Sequence, residues 1–228
     1  LCFLCSCIHQ IVRFFPRREN RPSERKKILC VKLSEMGAII VAAPMLKRLK
    51  QEHPETEILF LTFKQNSNVF SVLPEESRPH TVYTIDEHSA WSFVRDCASV
   101  IKVLRRQKIT AVLDLEFFSR FSALVSFLAS DGARIGFYRY AHEGLYRGTF
   151  YTHCIAYNQF LHVADSYLLF ARCLHQKDKK SPEFTSSVTG LQPLTPYLST
   201  PASRKSLAQK LNDEGIGSEK LVLVSAGE

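Results

Sequence analysis

Short apolar runs alternate along the chain with longer stretches in which apolar residues recur every three or four positions. Residues 28–33 (ILCVKL) are such a run, bounded by Arg25, Lys26 and Lys27 on one side and by Ser-Glu-Met-Gly at 34–37 on the other. A strand buried on both faces has this pattern. Helical spacing follows over 39–51 through Val41, Ala42, Met45, Leu46 and Leu49. Pro44 is tolerated only near a first turn, so the helix proper starts there or just before. The same reading predicts strands at 57–63, 81–85, 109–115 and 133–137, and helices at 89–107 and 119–129. Strand and helix alternate as in an α/β protein with a doubly wound, Rossmann-like parallel sheet.

Beyond Phe137 the pattern loosens. Residues 138–157 are aromatic and contain His, with Gly144 and Gly148, and read as a long loop able to line a cleft. A helix is expected at 163–174, a polar Pro/Ser/Thr linker at 177–196, a helix at 203–212 and a further buried strand at 221–225. The expected organisation is an apolar and basic segment with linker over 1–27, a Rossmann-like lobe over 28–196, and the start of another unit over 197–228.

Composition adds little to the fold and more to the ends. At 228 residues and 26.0 kDa there is room for one large domain or one and a half ordinary ones. The formal charge is +8, and residues 1–27 alone carry +5 of it, through Arg13, Arg17, Arg18, Arg21, Arg25, Lys26 and Lys27 against Glu19 and Glu24. The rest of the chain is close to neutral, which argues against nucleic acid as a partner. A basic segment beside the apolar stretch 1–15 points to an anionic membrane surface. Fifteen residues fall short of the ~20 that a spanning helix needs, and the charges follow the apolar stretch where a signal peptide would place them before it. The stretch reads as a membrane-surface anchor, the end of a span, or a helix packed on the protein's own body. Seven scattered cysteines are an odd number and unlike a secreted disulfide framework, which favours a reducing cytosol. Cys2, Cys5, Cys7 and His9 lie among Phe3, Leu4, Ile8 and Ile11 and read as part of a hydrophobic segment, not as a metal site.

Several chemistries lose their support. There is no G-x-G-x-x-G after the first strand, no G-x-x-x-x-G-K-[ST], no G-x-S-x-G and no H-E-x-x-H, so dinucleotide, P-loop, serine-hydrolase and zinc-protease readings have no motif behind them. In an open α/β sheet, ligands gather at the carboxyl ends of the strands. Three candidate loops lie there: Ser34-Glu-Met-Gly37 after the first strand, Glu116-Phe-Phe-Ser-Arg120 after the fourth, and the Tyr138 region after the fifth. The plainer account is that Gly37 makes a tight turn and that Asp114 and Glu116 cap the next helix.

The stretch ILCVKLSEMGAIIVAAPMLKRLK (28–50), followed by PETEILFL (54–61), resembles the opening of glycosyltransferase family 9, the ADP-heptose:lipopolysaccharide heptosyltransferases. AVLDLEFFSRFSA (111–123) with RIGF (134–137), and HVADSY (162–167), are similar as well. The resemblance implies the acceptor-binding N-terminal lobe of a two-lobed GT-B enzyme. The donor lobe would begin near Leu221, and this chain alone is not expected to transfer a sugar. It implies no cofactor beyond a nucleotide-sugar donor, ADP-linked and held by the other lobe, and a lipid-linked saccharide acceptor; the segment 1–27 is expected to hold the lobe at the inner face of the cytoplasmic membrane.

Inverting glycosyl transfer needs a carboxylate to take the proton of the acceptor hydroxyl. In the family that base resembles an Asp directly after the Gly of the first loop, where this chain has Ala38. Glu35, in the same loop, is the first-ranked substitute, with Asp114 and Glu116 behind it. Glu116 is further expected to orient acceptor hydroxyls, and Arg120 and Lys32 to meet acceptor phosphates. Two readings compete with this one. One is a GT-B transferase acting on another acceptor, and the other a non-catalytic binding or scaffold module that kept the fold and lost the base.

Overall fold

The computed structural model describes residues 26–138, 150–174 and 201–215. The chain divides into two compact units, residues 1–195 and 196–228. In the first, β1 (Lys27–Val31) leads to α1 (Met36–Val41), α2 (Ala43–Glu52) and β2 (Glu57–Phe63). A short α3 (Val69–Val72), β3 (Thr81–Ile85), α4 (Ala90–Arg106), β4 (Ala111–Asp114), α5 (Arg120–Ala129), β5 (Ala133–Tyr138), β6 (His153–Ala156) and α6 (Val163–Cys173) follow. The described part of the second unit is one helix, α7 (Pro201–Asp213).

The six strands form one sheet in the order β3-β2-β1-β4-β5-β6, and every pairing is parallel. This is the Rossmann order, with its topological switch between β1 and β4. Strand alternation sorts the core into two layers. Ile28, Cys30, Ile58, Phe60, Leu113, Ile135 and Phe137 face the helices α1, α2 and α6. Leu29, Val31, Leu59, Leu61 and Val112 face Leu104 of α4 and Val125 and Ala129 of α5. Both faces of the sheet are covered, which is why the strands read as unbroken apolar runs. Cys30 lies so deep that burial pushes its thiol pKa up to about 12.

Three expectations change. The helix expected over 39–51 is two helices, and the first begins at Met36, so Gly37 lies inside a helix and makes no turn. The break falls at Ala42 because Pro44, in the first turn of α2, has no amide hydrogen to continue the ladder. The stretch 138–157 is not all loop, since His153–Ala156 is a strand pairing β5. Its buried His153 bonds Thr152 Oγ1 at 2.8 Å, so a polar residue in the strand hides the apolar pattern. The helix α5 is capped by Ser119, whose hydroxyl accepts from the Ser122 amide, and not by Asp114 or Glu116. The segments 1–25, 139–149, 175–200 and 216–228, with the expected anchor, linker and last strand, lie outside the described residues.

Asp114 at the end of β4 is fully buried and turned toward α5. It accepts from the Tyr151 hydroxyl and from Ser126 Oγ at 3.3 Å. Gly136 of β5 pairs with Asp114 of β4, and a Cβ at Gly136 would overlap the Tyr151 ring. Gly136→Ala is therefore expected to cost about 1–3 kcal/mol in denaturant unfolding. The cost should fall well below that in a Tyr151→Ala background, and equal costs in both would refute the contact.

Candidate active site at the sheet switch point

Where the connections after β1 and β4 leave toward opposite faces of the sheet, the two loops are tied together by one carboxylate. Glu116 Oε1 accepts from the amides of Leu33 and Ser34 at 2.7 and 2.8 Å and from Ser34 Oγ at 3.0 Å. Its Oε2 accepts from Lys32 Nζ at 3.0 Å and from Ser34 Oγ at 3.2 Å. The Glu116 amide in turn donates to Asp114 Oδ1 at 3.1 Å. Charge-assisted bonds of this kind are roughly twice as strong as neutral ones. The loop after β1 is thus fixed by the residue that ends β4.

Lys32 follows the row Ile28, Cys30 on β1 and points where the sheet demands an apolar group, only 1% exposed. Its ammonium is shared between Glu116 at 3.0 Å and Glu35 at 3.2 Å and sits 5.7 Å from the centre of the Phe117 ring. A buried cation is tolerated because it is paired and covered in this way. Glu35 behaves differently from Glu116. Its side chain is 67% exposed, and its backbone takes φ 63° and ψ 90°, a left-handed value that costs a non-glycine residue about 1–2 kcal/mol. The strain turns the chain abruptly from β1 into α1.

An aromatic wall stands beside these charges. Phe117 stacks on Phe137 at 4.9 Å between ring centres, and Tyr157 packs edge-on against Phe117 and Phe118 at 5.2 and 5.6 Å. Phe118 is itself held at φ 55°. Tyr167 of α6 stacks on Phe117 at 6.1 Å and is fully buried, and its hydroxyl has no hydrogen-bond partner among the described residues. Burial first, then the carboxylates of Glu116 and Glu35 and then Tyr157, push its pKa upward, so the phenol stays protonated.

The structure brings most of the expected set to one edge but divides it. Ser34, Glu35 and Gly37 form the accessible lip, and a Cβ at Gly37 would meet nothing within 4 Å. Arg120 is exposed in the first turn of α5. Lys32, Asp114 and Glu116 are buried. Lys32 is therefore not placed to meet a phosphate, and neither Asp114 nor Glu116 presents a free carboxylate to a ligand. Ala38 sits in the first turn of α1, half-buried. Sequence reasoning did not single out Tyr151, Tyr157 or Tyr167. Tyr167 lay within the 162–167 block, and the other two inside the stretch read as loop. One cluster of three potential metal ligands occurs among the described residues, Asp86, Glu87 and His88 after β3. Asp86 there is already paired with Lys64 at 3.1 Å, and the amide of His88 and that ammonium hold its pKa below the usual carboxylate range.

No protein-family model and no curated protein sequence matches the chain. Solved structures do. Heptosyltransferase WaaC of E. coli, solved with ADP-2-deoxy-2-fluoro heptose, matches over 68% of this chain and 50% of its own, with TM-score 0.55 and 20% identity. Its structure with ADP matches with TM-score 0.54, again at 20% identity, over 68% of this chain and 49% of that one. A glycosyl transferase family 9 protein of Veillonella parvula matches over 86% of this chain and 51% of its own, with TM-score 0.61 and 16% identity. The chain spans about half the length of the solved chains that it matches.

Removing the clasp should be costly and removing its exposed neighbour should not. Glu116→Ala leaves two amides without their acceptor and a buried ammonium with only the exposed Glu35 as partner, and is expected to lower unfolding stability by about 3–5 kcal/mol. Glu35→Gly relieves the positive φ and should leave stability unchanged or raise it by up to about 1 kcal/mol. Equal losses for the two variants in urea unfolding would contradict this division. The sheet order, the two helical layers and the solved relatives agree: the chain has the Rossmann-like fold of the family 9 heptosyltransferases.

Proposed function

We propose that the chain is the acceptor-binding lobe of a glycosyltransferase that moves a sugar, with inversion, from an ADP-linked donor to a lipid-linked saccharide of the lipopolysaccharide-core type. The observation that carries the reading is the clasped loop at the switch point. It holds an exposed carboxylate, Glu35, in a strained and fixed position beside an aromatic wall. Open α/β sheets bind ligands at this place. Rings such as Phe118 and Tyr157 offer faces on which a sugar can lie, while Ser34 and Glu35 offer polar groups at its edge.

In this reading Glu35 takes the proton of the attacking hydroxyl. It alone among Glu35, Asp114 and Glu116 has its carboxylate largely in solvent. Lys32 is a positioning residue that holds Glu35 through the 3.2 Å pair. Arg120 meets an acceptor phosphate, for which its planar fork suits two oxygens at once. Nucleotide-sugar binding falls to a second lobe, and the reaction runs at the inner face of the cytoplasmic membrane.

One observation favours a second reading. Ala38 stands where the resemblance places the base, and an alanine accepts no proton. The second reading is a lobe that still binds the acceptor but no longer transfers to it.

Sugar transfer is measured as ADP released from ADP-heptose in the presence of a lipid A–core acceptor, using the longest polypeptide that the gene encodes. Glu35→Gln should lower kcat about 10²–10⁴-fold, the usual worth of a general base, with the melting temperature unchanged. Transfer by Glu35→Gln at the unaltered rate would overturn the assignment of the base. Acceptor binding without any ADP release by the unaltered protein would establish the binding module instead.

A further inference from the structure

The outward ridge of α4 carries side chains that the fold does not use. Leu104 is fully buried, and Phe93, Cys97 and Val100 pack with it against the sheet. Stepping 100° per residue, the opposite side of the helix is the line Trp91, Arg95, Lys102 and Arg106. Trp91 is 76% exposed and its flanking Val94 60% exposed. A tryptophan and a valine left in water at a helix start are anchors without an occupant.

The charges along this ridge have one sign. The helix has a single acid, Asp96, whose side chain is only 26% exposed. It is engaged by Arg95 at 3.1 Å and accepts from the Asp86 amide at 3.3 Å. Arg105 turns aside, donating to the Leu128 carbonyl at 2.8 Å and lying 3.6 Å from Asp131. Lys102 and Arg106 are exposed, and no described carboxylate pairs with either. The end of α4 also lies against the point where the chain enters the fold. Lys27 Nζ donates to Gln107 Oε1 at 2.6 Å, and the Thr110 amide donates to the Lys27 carbonyl at 2.9 Å. Lys26 and Lys27, the described end of a basic run in the sequence, therefore join the fold next to the basic end of this helix.

We propose that the outer ridge of α4 docks on an anionic lipid bilayer. Trp91 and Val94 enter the headgroup layer, and Lys102 and Arg106 meet lipid phosphates. An aromatic and apolar start followed by lysine and arginine on one helix face is the composition that lies in a membrane interface. Docking involves neither Glu35 nor Glu116, so it stands whether or not the chain belongs to a sugar transferase.

Trp91 is the sole tryptophan of the chain and reports on its own surroundings. Fluorescence and flotation of the 228-residue chain are measured with phosphatidylcholine vesicles and with vesicles in which phosphatidylglycerol supplies a third of the lipid. Anionic vesicles should shift Trp91 emission to the blue, shield it from acrylamide and float the chain, and high salt should reverse all three. The double variant Lys102→Glu, Arg106→Glu should float about tenfold less at an unchanged melting temperature, since each basic group near the surface contributes separately. Flotation with Trp91 emission unchanged would overturn the proposal, because the basic run alone would then hold the chain. Equal flotation with neutral vesicles, no flotation at all, or full flotation of the double variant would overturn it too. A Trp91 shift produced by duplex DNA but not by vesicles would make the ridge a nucleic-acid face.

Discussion

The arrangement depends on a single carboxylate that crosses the sheet. Glu116 leaves the end of β4 and satisfies two amides, a hydroxyl and an ammonium that belong to the loop after β1. A parallel sheet with helices on both faces opens a crevice where its connections part company, and nothing in the backbone ladder closes it. Here the two loops at that crevice are bound to each other. Lys32 can be buried because Glu116 is there, and Glu35 can be held in solvent because Lys32 is there.

This hierarchy gives three acidic residues three different roles. Asp114 faces α5 and organises Tyr151 and Ser126 beneath the site. Glu116 builds the loop, and Glu35 projects from it. Charge alone does not separate them. Burial and the number of donors around each do, since a carboxylate whose lone pairs are filled has little left to offer a ligand. The strain stored at Glu35 is consistent with this order, because an unfavourable φ persists only where its surroundings over-determine it.

Much of the fold was legible in the sequence because both faces of the sheet are covered. The strand Glu57–Phe63 then appears as a run of apolar residues with matching ends. The strand His153–Ala156 was not legible, since its His153 is polar yet buried against Thr152. The candidate site was legible as a place and less so as a set of roles. Position after β1 and β4 marks Lys32, Glu35, Asp114 and Glu116 equally. Only the three-dimensional pairing reveals that Lys32 and Glu116 neutralise each other. The aromatic wall escaped because Phe117, Tyr157 and Tyr167 lie far apart in the chain and meet only through β4, β6 and α6.

The central claim is that the clasped loop and the aromatic wall beside it receive a saccharide acceptor. Amide hydrogen exchange of the chain, with and without a lipid A–core saccharide, tests it most directly. The account predicts added protection in the segments 34–38, 117–120 and 157–162, with the far side of α4 unchanged. Protection gained elsewhere while those three segments stay as they were would contradict it.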